Sequence, residues 1–160
     1  MKTWIGSGDA GALVDDAEVV VSVFDHGLTV GDGIFETMKV IDGRLFLWPW
    51  HAERLVASAD IMRIPLPAID TLSRIVRAVA GANRTIEPMR LRLTVTAGLG
   101  PLGSDRLAVA PTVVCAQSPV PVRTGTASLR VVPWPRNERS VIAGVKSTSY
   151  AENVVALADA

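Results

Sequence analysis

Apolar and polar residues roughly alternate through Gly31-Asp32-Gly33-Ile34-Phe35-Glu36-Thr37-Met38-Lys39-Val40-Ile41, and after Asp42-Gly43 the alternation resumes in Arg44-Leu45-Phe46-Leu47. A period of two turns alternate side chains to one face, and Asp-Gly between two such runs suits a tight turn because both residues tolerate positive φ. The pattern predicts a β-hairpin. The period then changes. Leu55, Ala59 and Met62 recur at spacings of four and three, and Pro49 sits where a helix can start, so a helix is predicted from about Trp48 to Met62, ending before Pro65. A second amphipathic helix is predicted near Ala68 to Ala80, carrying Leu72, Ile75, Val76 and Val79 and stopping at Gly81. Two strands follow, Met89 to Ala97 and Thr112 to Ala116. Upstream, the β-branched run Val19 to Phe24 leads into a turn at Asp25-His26-Gly27. Strands first, a helical middle and strands again make an α+β unit.

Pro119-Val120-Pro121-Val122-Arg123 ends this pattern, since closely spaced prolines favour an extended spacer and break sheet pairing. The domain reading is therefore a small α+β domain over 1–118, a linker over 119–124 and a further piece over 125–160. That piece reads as a strand, Ser128 to Val132, a proline-rich loop through Trp134 and Arg136, and an apolar helix-like run opened by Lys146. One strand, a loop and one helix cannot bury a core, so 125–160 is read as the opening of a second, incomplete domain.

Composition narrows the classes. Sixteen basic and sixteen acidic residues give a formal net charge of zero, with no block of like charge. This argues against nucleic-acid or anionic-membrane partners, which call for a basic excess. Cys115 is the single cysteine, so no disulfide forms within the chain. No signal peptide or membrane span is apparent, and a cytoplasmic location is expected.

Two stretches, Gly6 to Gly11 and Gly98 to Gly103, satisfy G-x-G-x-x-G, but neither opens a convincing helix as dinucleotide binding requires. The second is read as a loop over a site. In His51-Ala52-Glu53-Arg54-Leu55, solvated charges on a helix surface compete with a planar guanidinium suited to a phosphate or carboxylate, and the residues alone do not choose. His26 beside Asp25 is more often structural than catalytic. No nucleophilic triad and no metal-ligand spacing is present. Lys146 stands out among three lysines and thirteen arginines. At a helix start, where the dipole disfavours its charge, an amine can shed its proton and attack a carbonyl.

Three segments taken together resemble the class IV (fold type IV) pyridoxal-phosphate enzymes, which include branched-chain and D-amino-acid aminotransferases and 4-amino-4-deoxychorismate lyases. They are Asp25 to Thr37, His51 to Leu55, and Gly144-Val145-Lys146-Ser147-Thr148-Ser149-Tyr150. The resemblance implies an N-terminal domain with an antiparallel sheet and two helices, pyridoxal 5'-phosphate as cofactor, and a homodimer acting on a small-molecule amine. It implies that Lys146 carries the cofactor as a Schiff base, that Arg54 holds its phosphate, and that Tyr150 lies near its ring. Phe35, Lys39 and Gly98 match substrate-pocket positions. Ala97-Gly98 stands where D-amino-acid aminotransferases have Arg-Gly, and Gly100 to Arg106 looks like a loop of the lyases. The lyase is therefore favoured, giving 4-aminobenzoate and pyruvate in folate biosynthesis. An aminotransferase is the alternative, and an inactive fragment serving as an interaction module a second. Relatives carry the acidic residue facing the pyridine nitrogen downstream of the lysine, and this chain stops at Ala160, so a truncated form of a longer enzyme is expected.

Overall fold

The computed structural model describes residues 1–121 and 124–159. Strand β3 (Gly33–Ile41) and the short β4 (Arg44–Leu45) form the expected hairpin. Asp42 and Gly43 turn it with φ of 50° and 72°. Helix α2 spans Trp48–Met62 and α3 spans Ile69–Ala82, passing through Gly81 before it ends. Leu55 of α2 and Leu72, Val76 and Val79 of α3 are fully buried. Each such side chain stabilises the fold by about 1.5–3 kcal/mol relative to exposure. Strand β5 (Met89–Thr96) and strand β6 (Thr112–Pro119) complete the expected set.

Two further strands lie upstream, where the first glycine pattern stands. Strand β1 (Lys2–Ser7) and β2 (Ala10–Asp15) form a second hairpin, with Gly8 at φ 58° in its turn. All neighbours pair antiparallel in one six-stranded sheet ordered β2-β1-β6-β5-β3-β4. One face packs on both long helices through Ile34, Met38, Val40, Leu91, Leu93, Val113 and Cys115. Burial pushes the Cys115 thiol pKa up, so it behaves as a small apolar core residue. The opposite face carries Phe35, Thr37, Lys39, Arg90, Arg92 and Thr94, the alternate residues of β3 and β5.

The β-branched run Val19 to Phe24 is irregular, and Val20, Val23 and Phe24 are exposed. A short helix, α1 (His26–Thr29), follows it, capped by the Asp25 carboxylate on the Gly27 N–H. Two expectations need correction. Ser128 to Val132 forms no strand. Leu129 and Val131 are 98% and 96% exposed, so no sheet edge receives this β-branched stretch. Finally, helix α4 (Ala151–Asp159) starts five residues after Lys146, so the lysine does not stand at a helix N-terminus.

Pro119 is paired with Met89 at the end of β6, beyond the Ala116 at which the strand was expected to stop. Of the expected 119–124 linker, Val122 and Arg123 lie outside the described residues. No helix among the described residues is long and apolar enough to cross a membrane.

Candidate active site

Lys146 is positioned by the edge of β3. Strand β4 pairs only with Val40 and Ile41, which leaves the other end of that edge open. The segment around Lys146 fills it. The Phe35 N–H donates to the Lys146 carbonyl at 2.9 Å, the Thr148 N–H donates to the Gly33 carbonyl at 2.8 Å, and Ser147 bridges Ile34. The Thr148 hydroxyl adds a 2.8 Å bond to the Gly31 carbonyl. This pairing sets side-chain direction. Ser147 turns inward and is buried beside Ile34, while Lys146, opposite Phe35, projects to the helix-free face.

There Lys146 Nζ lies 4.2 Å from the centroid of the Phe35 ring and 5.5 Å from that of Tyr150. The two rings meet edge to face at 5.3 Å. A second cation contacts the same ring, since the Arg92 guanidinium carbon is 3.6 Å from the Phe35 centroid. Burial lowers the Arg92 pKa, and no carboxylate within the described residues pairs with it.

Arg54 reaches the site from α2. Its Nε and Nη2 donate to the two oxygens of Glu36 at 2.7 and 2.6 Å, and His51 Nδ1 lies 2.7 Å from Glu36 Oε2. An ionised carboxylate only accepts, so His51 Nδ1 carries the proton of that bond. Burial pushes the Glu36 carboxyl pKa up, but hydrogen bonds from Arg54 and then His51 outweigh it, holding it below the ordinary value. The Glu36 hydrogen bond correspondingly raises the Arg54 pKa. Arg54 is therefore no freely solvated helix charge. Its fork is fixed by a fully buried acid, its Nη1 makes no hydrogen bond among the described residues, and half of its side chain stays exposed.

Arg54, Lys146, Thr148, Ser149 and Tyr150 line one open cleft of about 1060 Å³. Phe35 lies against Lys146, but neither it, Lys39 nor Gly98 lines that cleft. Lys39 is exposed two positions beyond Thr37 on the Lys146-bearing sheet face. Gly98 has φ 83°, and a Cβ there would come within 2.4 Å of the Ala110 carbonyl, so its role in the chain is backbone geometry. The Gly98–Gly103 loop is tied down by His26 Nε2, 3.1 Å from the Pro101 carbonyl. Arg106, just beyond it, donates to Asp32 at 2.6 Å. His26 is thus buried and structural, as its setting beside Asp25 suggested.

Sequence reasoning missed Glu36 and Arg92. The first could have been found: a carboxylate in phase with Ile34, Met38 and Val40 falls on the core face and requires a cationic partner. Arg92 offered no such signal, because its contact with Phe35 depends on cross-strand register.

The model for class IV amino-transferases matches residues 33–160, and this protein belongs to that family. A protein of Methanocaldococcus jannaschii, named provisionally as a branched-chain-amino-acid aminotransferase, is 35% identical over 91% of this chain and 52% of its own length. The bifunctional aminodeoxychorismate lyase / D-amino acid transaminase of Mycobacterium tuberculosis is 34% identical over 92% of this chain and 53% of its own length. A hypothetical aminotransferase from Mycobacterium tuberculosis, solved in a PLP-bound form, superposes with a TM-score of 0.78 at 28% identity, over 98% of this chain and 58% of that one. The antiparallel sheet with its two long helices is thus the N-terminal domain fold of fold type IV enzymes. The chain spans about half the length of these relatives.

Proposed function

We propose that this chain carries the lysine and phosphate-anchoring half of a pyridoxal-phosphate site whose reaction is the release of pyruvate from 4-amino-4-deoxychorismate, leaving 4-aminobenzoate. The observation that carries the cofactor reading is the shared cleft: a primary amine on an aromatic ledge and a guanidinium with one free nitrogen face the same space. An aldehyde that bears a phosphate matches that donor set, with Lys146 Nζ for the aldehyde carbon and Arg54 Nη1 for a phosphate oxygen. Thr148 and Ser149 are committed to the Gly31 carbonyl and so hold the lysine segment.

Bound there, the cofactor supplies an electron sink for the carbon that bears the substrate nitrogen. The rest is the work of the chain. Lys146 Nζ would be the base that takes the proton from that carbon. Phe35 and Tyr150 wall the amine on its apolar side, and Arg92 offers its guanidinium to a substrate carboxylate beside it. Domain boundaries at 1–118, 119–124 and 125–160, assembly as a homodimer and a cytoplasmic location belong to the same reading.

Aminotransfer is the second reading, favoured by the aminotransferase relatives and by the double activity in the name of the Mycobacterium tuberculosis relative. Both reactions begin with the same proton removal. The lyase is preferred because Ala97-Gly98 replaces the Arg-Gly pair and because Gly100 to Arg106 resembles the lyase loop. Supplying the PLP-loaded chain with aminodeoxychorismate should release pyruvate and 4-aminobenzoate. Glutamate formed from D-alanine and 2-oxoglutarate, with no pyruvate from aminodeoxychorismate, would replace the lyase by the transaminase.

A further inference from the structure

A second cavity, of about 450 Å³, lies where the β3–β4 hairpin, the start of α2 and the middle of α3 meet. It is bordered by Arg44, Leu45, Leu47, Trp48, Pro49 and Arg77, and none of these residues borders the cleft that holds Lys146. A space of this size suits a small ligand.

Its cationic side follows from the order of residues in α3. Ser73, Arg77 and Arg84 recur at steps of four and seven, which keeps them on one helix face. Ser73 Oγ accepts from Trp48 Nε1 at 2.9 Å, and Arg84 donates to both oxygens of Asp42 at 2.7 and 3.2 Å. Arg77, between these two, is differently placed. Among the described residues it is within salt-bridge distance of no carboxylate, and the same holds for Arg44. Asp42, two residues before Arg44, is taken by Arg84, and no acidic residue borders the cavity.

The other side is apolar and fixed. Trp48 is buried and held by its bond to Ser73, and Leu45 packs against the core. Leu47 is half-exposed and has φ 53°, a left-handed conformation that is costly for a bulky residue and recurs at ligand sites. Solvation would account for either exposed arginine alone. Placed together on one concave surface with apolar walls, the two guanidinium groups repel each other and focus their field on the same space. An anion between them relieves that repulsion.

We propose that this cavity binds a small organic anion with an apolar body: a carboxylate held by Arg44 and Arg77, its hydrocarbon part against Leu45, Leu47 and Trp48. The guanidinium fork matches a carboxylate, and the apolar wall separates such a ligand from inorganic phosphate, which has no apolar surface to bury. The site shares no residue with the Lys146 cleft and stands whichever reaction occurs there.

Benzoate and benzamide share one ring and differ in charge, which makes them direct probes. The Trp48 indole N–H resonance of the full chain, assigned with Trp48→Phe, reports binding at this cavity during NMR titration. It is expected to shift saturably with benzoate, at an affinity about tenfold above that for benzamide or for inorganic phosphate. Arg44→Gln and Arg77→Gln should each weaken benzoate about five- to tenfold. Arg74→Gln removes the same charge three residues earlier in α3, outside the cavity, and should leave benzoate within about twofold. A Trp48 resonance that benzoate leaves in place, equal affinity for benzoate and benzamide, or equal losses in Arg74→Gln and Arg77→Gln would overturn the proposal. Phosphate binding as tightly as benzoate would overturn it too, since the apolar wall would then contribute nothing.

Discussion

Glu36 has no exposed surface, yet it is ionised and holds both His51 and Arg54. Its carboxyl pKa lies below the ordinary 4.5 in the folded chain. Between the folded pKa and 4.5 the unfolded state therefore binds more protons, so this carboxyl contributes stability that is fully present above 4.5 and is lost as the pH falls through the folded value. Glu36→Gln should cost about 1–3 kcal/mol near neutral pH, because Arg54 and His51 lose a charged acceptor. It should also flatten the fall in stability below pH 4.5. Urea unfolding across the acid range checks both effects, and an acid limb as steep in the variant as in the wild type would show that another carboxylate dominates it. The same substitution frees the Arg54 fork, so Glu36 acts on the cleft as a positioning residue.

At the scale of elements, the site depends on a short edge pairing. Gly31 has φ 68°, and a Cβ there would lie 2.6 Å from Ser149 Oγ. Gly31→Ala should destabilise the chain by about 1 kcal/mol or more through backbone strain and should loosen the Lys146 segment. Faster amide exchange at Phe35 and Thr148, the two N–H donors of the pairing, is the expected signature. Gly81→Ala provides the contrast: within α3, with open space around its Cβ, it should stabilise by about 0.4–1 kcal/mol. Unchanged exchange in Gly31→Ala would mean that the segment is held elsewhere. The elements legible from the chain were those with local signals: Asp42-Gly43 for the hairpin, Pro49 with Leu55, Ala59 and Met62 for α2, and the apolar stripe of α3. The β1–β2 hairpin was obscured by its glycines, Gly6, Gly8 and Gly11, and β1 is set in place by pairing with β6 more than a hundred residues away. Ser128 to Val132 misled in the opposite way, because β-branched residues make a strand only where an edge receives them. Lys146 stood out in the chain as a rare amine, whereas Arg54 was singled out only by the family resemblance. Their mutual placement was not legible, because it depends on the β3 edge and on a buried acid in another element.

For the whole molecule, one antiparallel sheet does two separate jobs. Its helix-covered face supplies the core and the buried Glu36 that fixes Arg54 of α2, while its open edge seats the Lys146 segment. The chain belongs to the class IV aminotransferases and spans about half the length of relatives in that family. The central claim concerns what this span does by itself, and the chain's three lysines allow a sharp test. Pyridoxal phosphate is added to the full chain, the mixture is reduced with borohydride, and the modified peptides are quantified. Modification concentrated on Lys146, well above Lys2 and Lys39 and weakened in Arg54→Gln, is the expected result. Equal labelling of all three lysines, or labelling of Lys2 and Lys39 alone, would contradict it.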